Sequence, residues 1–102
     1  MTRNELIDRI SKARINANLS ARALSQMVDM NDGYISRLES KKDFLPSAEV
    51  LLAIIEACGM TEEQFFYHDM FGYDKDAEFI RLFARLSPKK KDALISLISN
   101  DD

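Results

Sequence analysis

The chain has 102 residues, 46% hydrophobic and 30% charged, with a net charge of -3. This balance suits one small globular domain with an appendage and excludes a disordered chain. No apolar run reaches the ~18 residues of a membrane span, "MTRNELIDRI" lacks the apolar core of a secretory signal, and a single cysteine, Cys58, excludes an internal disulfide. A cytoplasmic protein is expected, with no membrane partner.

Thr2-x-x-Glu5 is a capping box. Leu6, Ile7, Ile10, Ala13 and Ala17 then recur at helical spacing, which predicts a first helix over 3–16. Asn18 is its left-handed stop. Ser20 caps a short second helix through Val28, with Ala23, Leu24, Met27 and Val28 expected inward. "VDMND" interrupts the pattern. Asn31 is read as the N-cap of a third helix from Asp32 to Ser40, with Ile35 and Leu38 inward. Asp32 would then lie in the first turn, where the helix dipole favours a negative charge.

"KKDFLP" is a loop. Ser47 caps a fourth helix to Cys58 with Val50, Leu51, Ile54 and Ile55 apolar, and Gly59 ends it. Thr61-x-x-Gln64 is a second capping box and opens a short fifth helix through Phe65 and Phe66. "YHDMFGYDKD" reads as a linker. A sixth helix is expected over 76–86, with Phe79, Leu82, Phe83 and Leu86 on one stripe. Ser87 caps a seventh with Pro88 at its first position, running to Ser99. No strand or repeat is visible, so the fold class is all-α. The domain boundaries read as 1–67 for the main unit, 68–75 for a linker and 76–102 for a helical hairpin.

Two short helices, 20–28 and 32–40, joined by the tight turn "DMN" make a helix-turn-helix, with a buried Met30 expected to set the crossing angle. Charge gives this reading modest support. Residues 1–43 carry eight Lys/Arg against six Asp/Glu, and residues 44–102 carry six against eleven. A mildly basic front half is compatible with a local phosphate-binding face, but it falls short of the strongly basic footprint of many nucleic-acid-binding domains.

"LSARALSQMVDMNDGYISRLES" followed by "PSAEVLLAIIEACGMTEEQFF" resembles the Cro/cI-type (XRE) helix-turn-helix family of phage and bacterial repressors. The resemblance covers about residues 5–67. Its most specific pieces are Leu19-Ser20, Tyr34 to Glu39, Pro46-Ser47 and the closing "GMTEEQFF". It implies a lambda-repressor-like five-helix domain whose third helix enters the major groove of double-stranded DNA. The positions that match the family's base readers are Asp32, Gly33, Ser36 and Arg37. Arg37 is the foremost, because a guanidinium can donate bidentately to guanine. Asp32 could accept from cytosine, against its reading as a first-turn acid, and Gly33 can only bring backbone close. Phosphate positioning is implied for Ser20, Arg22, Asn31, Tyr34, Ser40, Lys41 and Lys42. Arg14 and Glu39 also match family positions, where they pair with each other inside the fold, so neither is read as a DNA contact.

Three positions depart from the family pattern. Ala21 stands where a glutamine usually bridges phosphate and a base-reading side chain. Lys41 stands where a glycine usually follows the third helix. Asn18 stands where a glycine often precedes the second.

Other chemistry is sparse. His68 beside Asp69 is read as a linker histidine and Cys58 as core. There is no glycine-rich phosphate loop. No enzyme activity, metal or other cofactor is expected. A helical tail like "LFARLSPKKKDALISLI" follows this domain in regulators of the family. Its apolar stripe must be buried against the same chain or a second copy, and it is read as a homodimer element. The expected function is therefore a sequence-specific transcriptional regulator, a repressor acting as a homodimer on an operator. The alternative is a protein-interaction module, such as an antitoxin, which Asp32, Gly33, Ala21 and the acidic net charge would suit.

Overall fold

The computed structural model describes residues 1–40 and 44–100, and among them there are helices and connections but no strand. Capping chemistry sets most helix starts. Thr2 accepts from the Glu5 N–H and opens α1 (Arg3–Asn16). Ser20 does the same from Ala23 for α2 (Ala21–Met27), Ser47 from Val50 for α4 (Ala48–Ala57), and Thr61 from Gln64 for α5 (Glu62–Phe66). Each bond satisfies one of the N–H groups a helix start leaves without a partner.

Three ends share another device. After α1, α2 and α4 the chain turns through a left-handed residue, Asn18, Asp29 and Gly59 respectively. In each case the next N–H returns to a carbonyl five residues back: Leu19 to Arg14, Met30 to Ser25, and Met60 to Ile55. This is the Schellman arrangement. Asn18 and Gly59 were legible as stops. Asp29 was not, because an aspartate there is less permissive than glycine.

The third helix, α3 (Tyr34–Ser40), starts two residues later than the sequence suggests. Asp32 and Gly33 form a turn ahead of it, and the Tyr34 N–H bonds to the Asn31 carbonyl at 3.0 Å. Asp32 is therefore outside the first helical turn, and its first-turn role is not realised. Met30 is only half-buried, and Met27 is exposed. The polar fastening between α2 and α3 is instead the fully buried Ser25. Its hydroxyl donates to the Ala21 carbonyl at 2.8 Å and accepts the Ile35 N–H at 3.0 Å. A buried hydroxyl with both roles filled carries no desolvation penalty for an unmade bond.

The chain divides into two compact units, Met1–Tyr67 and His68–Asp102. In the first, α2 packs on α3, α1 touches α3 and α4, and α4 packs on α2 and α5. Its core is Ile7, Ile10 and Ala13 of α1, Leu24, Ile35, Leu38, Ile54, Ile55 and Phe65, all buried. Each large apolar side chain so placed contributes roughly 1.5–3 kcal/mol. Three arginines of α1 tie this unit together. Arg3 donates to the carbonyls of Leu38 and Phe44, at 3.3 and 3.0 Å. Arg9 donates to those of Phe65 and Tyr67, and Arg14 to that of Leu19 at 2.9 Å. The Leu38 and Phe65 carbonyls lie in the last turns of α3 and α5, where helices leave acceptors open.

The second unit holds α6 (Tyr73–Ala84) and α7 (Pro88–Ser99). Helix α6 begins at Tyr73 rather than at 76, so part of the expected linker is helical. Asp74 and Asp76 suit the positive end of a helix, while Asp69 accepts the Gly72 N–H at 3.2 Å just before it. A Cβ on Gly72 would lie 2.4 Å from an Asp69 carboxylate oxygen, so a larger residue there would make the Asp69 side chain shift. Ser87 caps α7 by accepting from Lys90, with Pro88 in its first turn. No described helix is long and apolar enough to cross a membrane.

Candidate nucleic-acid interface

Helix α3 divides its residues by periodicity. Ile35 and Leu38 are fully buried, whereas Ser36 and Arg37, with Asn31, Asp32 and Gly33 in the preceding turn, face solvent. The four residues expected to read bases therefore share the start of α3 and the turn before it. They are not independent. The Arg37 guanidinium donates to Asn31 Oδ1 at 3.3 Å. Asp32 pairs with Arg22 of α2, Nε to Oδ2 at 3.2 Å, and accepts from Gln26 Nε2 at 3.1 Å. The exposed end of the helix-turn-helix is thus a small polar network across α2 and α3. Its ion pair is 72% and 57% exposed, and in water such a pair adds little to stability.

The expected phosphate contacts separate into groups. Ser20 is exposed, and its oxygen caps α2 by accepting from Ala23 at 3.0 Å. Ser40 is exposed and donates to the Ser36 carbonyl at 2.7 Å. Asn31 and Arg22 are exposed and engaged as above. Tyr34, expected to offer its hydroxyl to phosphate, turns its ring into the fold. It is only 7% exposed, and its ring meets that of Phe44 edge-on at 6.0 Å between centroids. Position one of a short helix faces the core here because Ile35 and Leu38 must also do so. Lys41 and Lys42 lie outside the described residues.

Burial pushes the Tyr34 hydroxyl above its ordinary 10.0, partly offset by the Arg37 charge. Burial favours the neutral phenol, so its contribution to stability is complete below about pH 10 and is lost as pH rises through the folded-state value. Tyr34→Phe is expected to flatten the alkaline limb of a urea-unfolding pH series while leaving DNA affinity within about twofold. A tenfold affinity loss in a filter-binding titration would return the hydroxyl to the interface.

Arg14 and Glu39 form a bidentate pair, both N–O distances 2.9 Å, with side chains 17% and 18% exposed. The bond to Glu39 raises the Arg14 pKa further, against the opposing effect of burial. This pair lies within the fold, as the resemblance implied. Sequence reasoning missed Ser25 and Gln26. Neither is visible without the spatial approach of α2 to the turn before α3, though the i,i+4 spacing of Arg22 and Gln26 places both on one helix face.

Cys58 is buried, and burial pushes its thiol up, partly countered by Arg14. That suits a core residue. Among the described residues no group of three or more His, Cys, Asp or Glu side chains could hold a metal ion.

Comparison with known families agrees with this geometry. A helix-turn-helix family model matches residues 10–65, from the middle of α1 into α5 and over more than half of the chain. No curated protein and no solved structure gives a significant match. The matched span contains Ser25, the Arg14–Glu39 pair and the whole α2–α3 network. The chain belongs to the Cro/cI-type (XRE) helix-turn-helix family, DNA-binding regulatory domains with a lambda-repressor-like all-α fold.

Proposed function

We propose that this protein is a sequence-specific transcriptional repressor that binds double-stranded operator DNA as a homodimer, with α3 in the major groove. The observation that carries this reading is the division of α3. Its buried side anchors in the core, while Asp32, Gly33, Ser36 and Arg37 stand together at its exposed entry. The N-terminal residues of such a helix are the ones that reach base edges. Ser20, Arg22, Asn31 and Ser40, with Lys41 and Lys42, are the proposed phosphate contacts, and Tyr34 is left to the core. The homodimer rests on α6 and α7, which bury no residue of their own and expose Phe79, Ile80, Leu82, Ile95, Leu97 and Ile98. An apolar face of that extent marks an interaction surface.

The test is selection from a random duplex library at low and physiological salt, with the solution mass measured alongside. A two-fold-symmetric site with half-sites ~10 bp apart, and a dimeric mass, is expected. No enrichment even at low salt would favour the protein-interaction reading, for which the exposed apolar face of α6 and α7 also speaks.

Within the selected site, Arg37→Ala is expected to lose about 1–3 kcal/mol of discrimination at one base pair. Lys42→Ala should weaken all sequences alike and lower the salt slope by about 1. Equal loss of specific and random binding in both variants would remove Arg37 as a base reader.

A further inference from the structure

Ala21, the first residue of α2, has no polar side-chain atom with which to reach α3. The polar link between α2 and the turn before α3 is made by Arg22 and Gln26 instead, one turn apart on the same helix. Both converge on Asp32. Gln26 Nε2 donates to Oδ1 at 3.1 Å, and Arg22 Nε lies 3.2 Å from Oδ2.

An exposed carboxylate at the mouth of α3 poses a physical problem for a domain that approaches polyphosphate. Left free, it repels the backbone and swings among rotamers. Held by one donor on each oxygen, it changes character. The Arg22 charge offsets its own, and each oxygen keeps acceptor capacity because a carboxylate offers about four lone-pair sites. Such a fixed acceptor can bond an exocyclic amino group in the major groove, on cytosine N4 or adenine N6. It is repelled by the O6 and N7 of guanine and the O4 of thymine.

Resting on the regulator reading above, we propose that Gln26 is a positioning residue for base recognition. With Arg22 it fixes the Asp32 carboxylate as the acceptor that selects an amino-bearing base at one position of each half-site.

The experiment repeats the duplex selection with full-length Gln26→Ala, Asp32→Asn, Asp32→Ala and the double variant Gln26→Ala/Asp32→Ala, and then measures each preferred base by competition. Gln26→Ala is expected to reduce discrimination at a single position about three- to tenfold. The other positions, the affinity for random duplex and the thermal melting curve should stay unchanged. Asp32→Asn should alter the preference at that same position, moving it toward adenine, because an amide bonds adenine bidentately. In the Asp32→Ala background, Gln26→Ala should add nothing there, since the oxygen that Gln26 Nε2 bonds is gone. A Gln26→Ala profile identical to that of the parent would overturn the proposal. So would a loss spread evenly over all positions, or additive effects in the double variant. If the parent protein enriches no site, the regulator reading fails and this inference falls with it. If it enriches a site that Gln26→Ala reads unchanged, only the role of Gln26 falls.

Discussion

Glu39→Ala is expected to destabilise the first unit by roughly 2–4 kcal/mol, as much as truncating a buried side chain of the core. Removing one partner of a buried ion pair typically costs about 3–5 kcal/mol because the other charge stays buried and uncompensated. The residual exposure of this pair, 17% and 18%, lets water reach the stranded guanidinium and lowers the figure. Glu39 bonds Arg14 through both oxygens, so two charge-assisted hydrogen bonds are lost together. Arg14→Ala should cost more than Glu39→Ala, because the bond to the Leu19 carbonyl goes as well. The pair Arg14→Met with Glu39→Leu should recover most of the loss, since an apolar replacement leaves no stranded charge. Urea unfolding followed by circular dichroism measures all four proteins. A Glu39→Ala midpoint within error of the parent would mean that the pair is solvated and contributes nothing. Against a typical stability of about 5–15 kcal/mol, the expected loss is a substantial fraction of the whole.

A charged residue on each helix of the hairpin is expected to weaken operator binding about 10²-fold or more without altering a proposed DNA-contacting residue. Ile80 and Leu97 are 61% and 69% exposed, so aspartate at either position costs the isolated unit little. In the proposed dimer these side chains are buried against a second copy, and an unpaired carboxylate there is strongly unfavourable. Ile80→Asp combined with Leu97→Asp should therefore shift the solution mass to monomer. Operator affinity should fall about 10²-fold or more, because the second half-site contact is no longer intramolecular. Affinity for random duplex at low salt should change far less. A doubly substituted protein that remains dimeric would place the interface elsewhere. A monomeric one with undiminished operator affinity would separate assembly from recognition.

The charge distribution acquires a different meaning once the fold is known. Arg3, Arg9 and Arg14 supply three of the eight basic residues in the first 43 positions. All three are committed to main-chain carbonyls or to Glu39. Arg3 and Arg9 keep their charge but hold it at main-chain carbonyls, and the Arg14 charge is offset by Glu39, so these guanidiniums are occupied within the fold. Direct phosphate contacts in the proposed regulator are left to few other cations, and a shallow salt dependence is expected from so small a set.

Helix existence and most boundaries were legible from the chain alone, because capping residues act locally. Thr2, Ser20, Ser47, Thr61 and Ser87 each accept an N–H three residues on, and a short sequence window contains both partners. The inward stripe of Ile7, Ile10, Ala13, Ile35, Leu38, Ile54 and Ile55 follows from helical periodicity in the same way. The start of α3, the burial of Tyr34, the exposure of Met27 and the contacts of Ser25, Gln26 and Asp32 were decided by tertiary structure. Each depends on how α2 meets α3 and the turn before it. At that junction Asp29, rather than a glycine, takes the left-handed position, and a serine hydroxyl bridges the two backbones. A hydrogen bond between residues six or ten apart across a turn has no signature in either helix's own pattern, because its geometry exists only after both helices have packed.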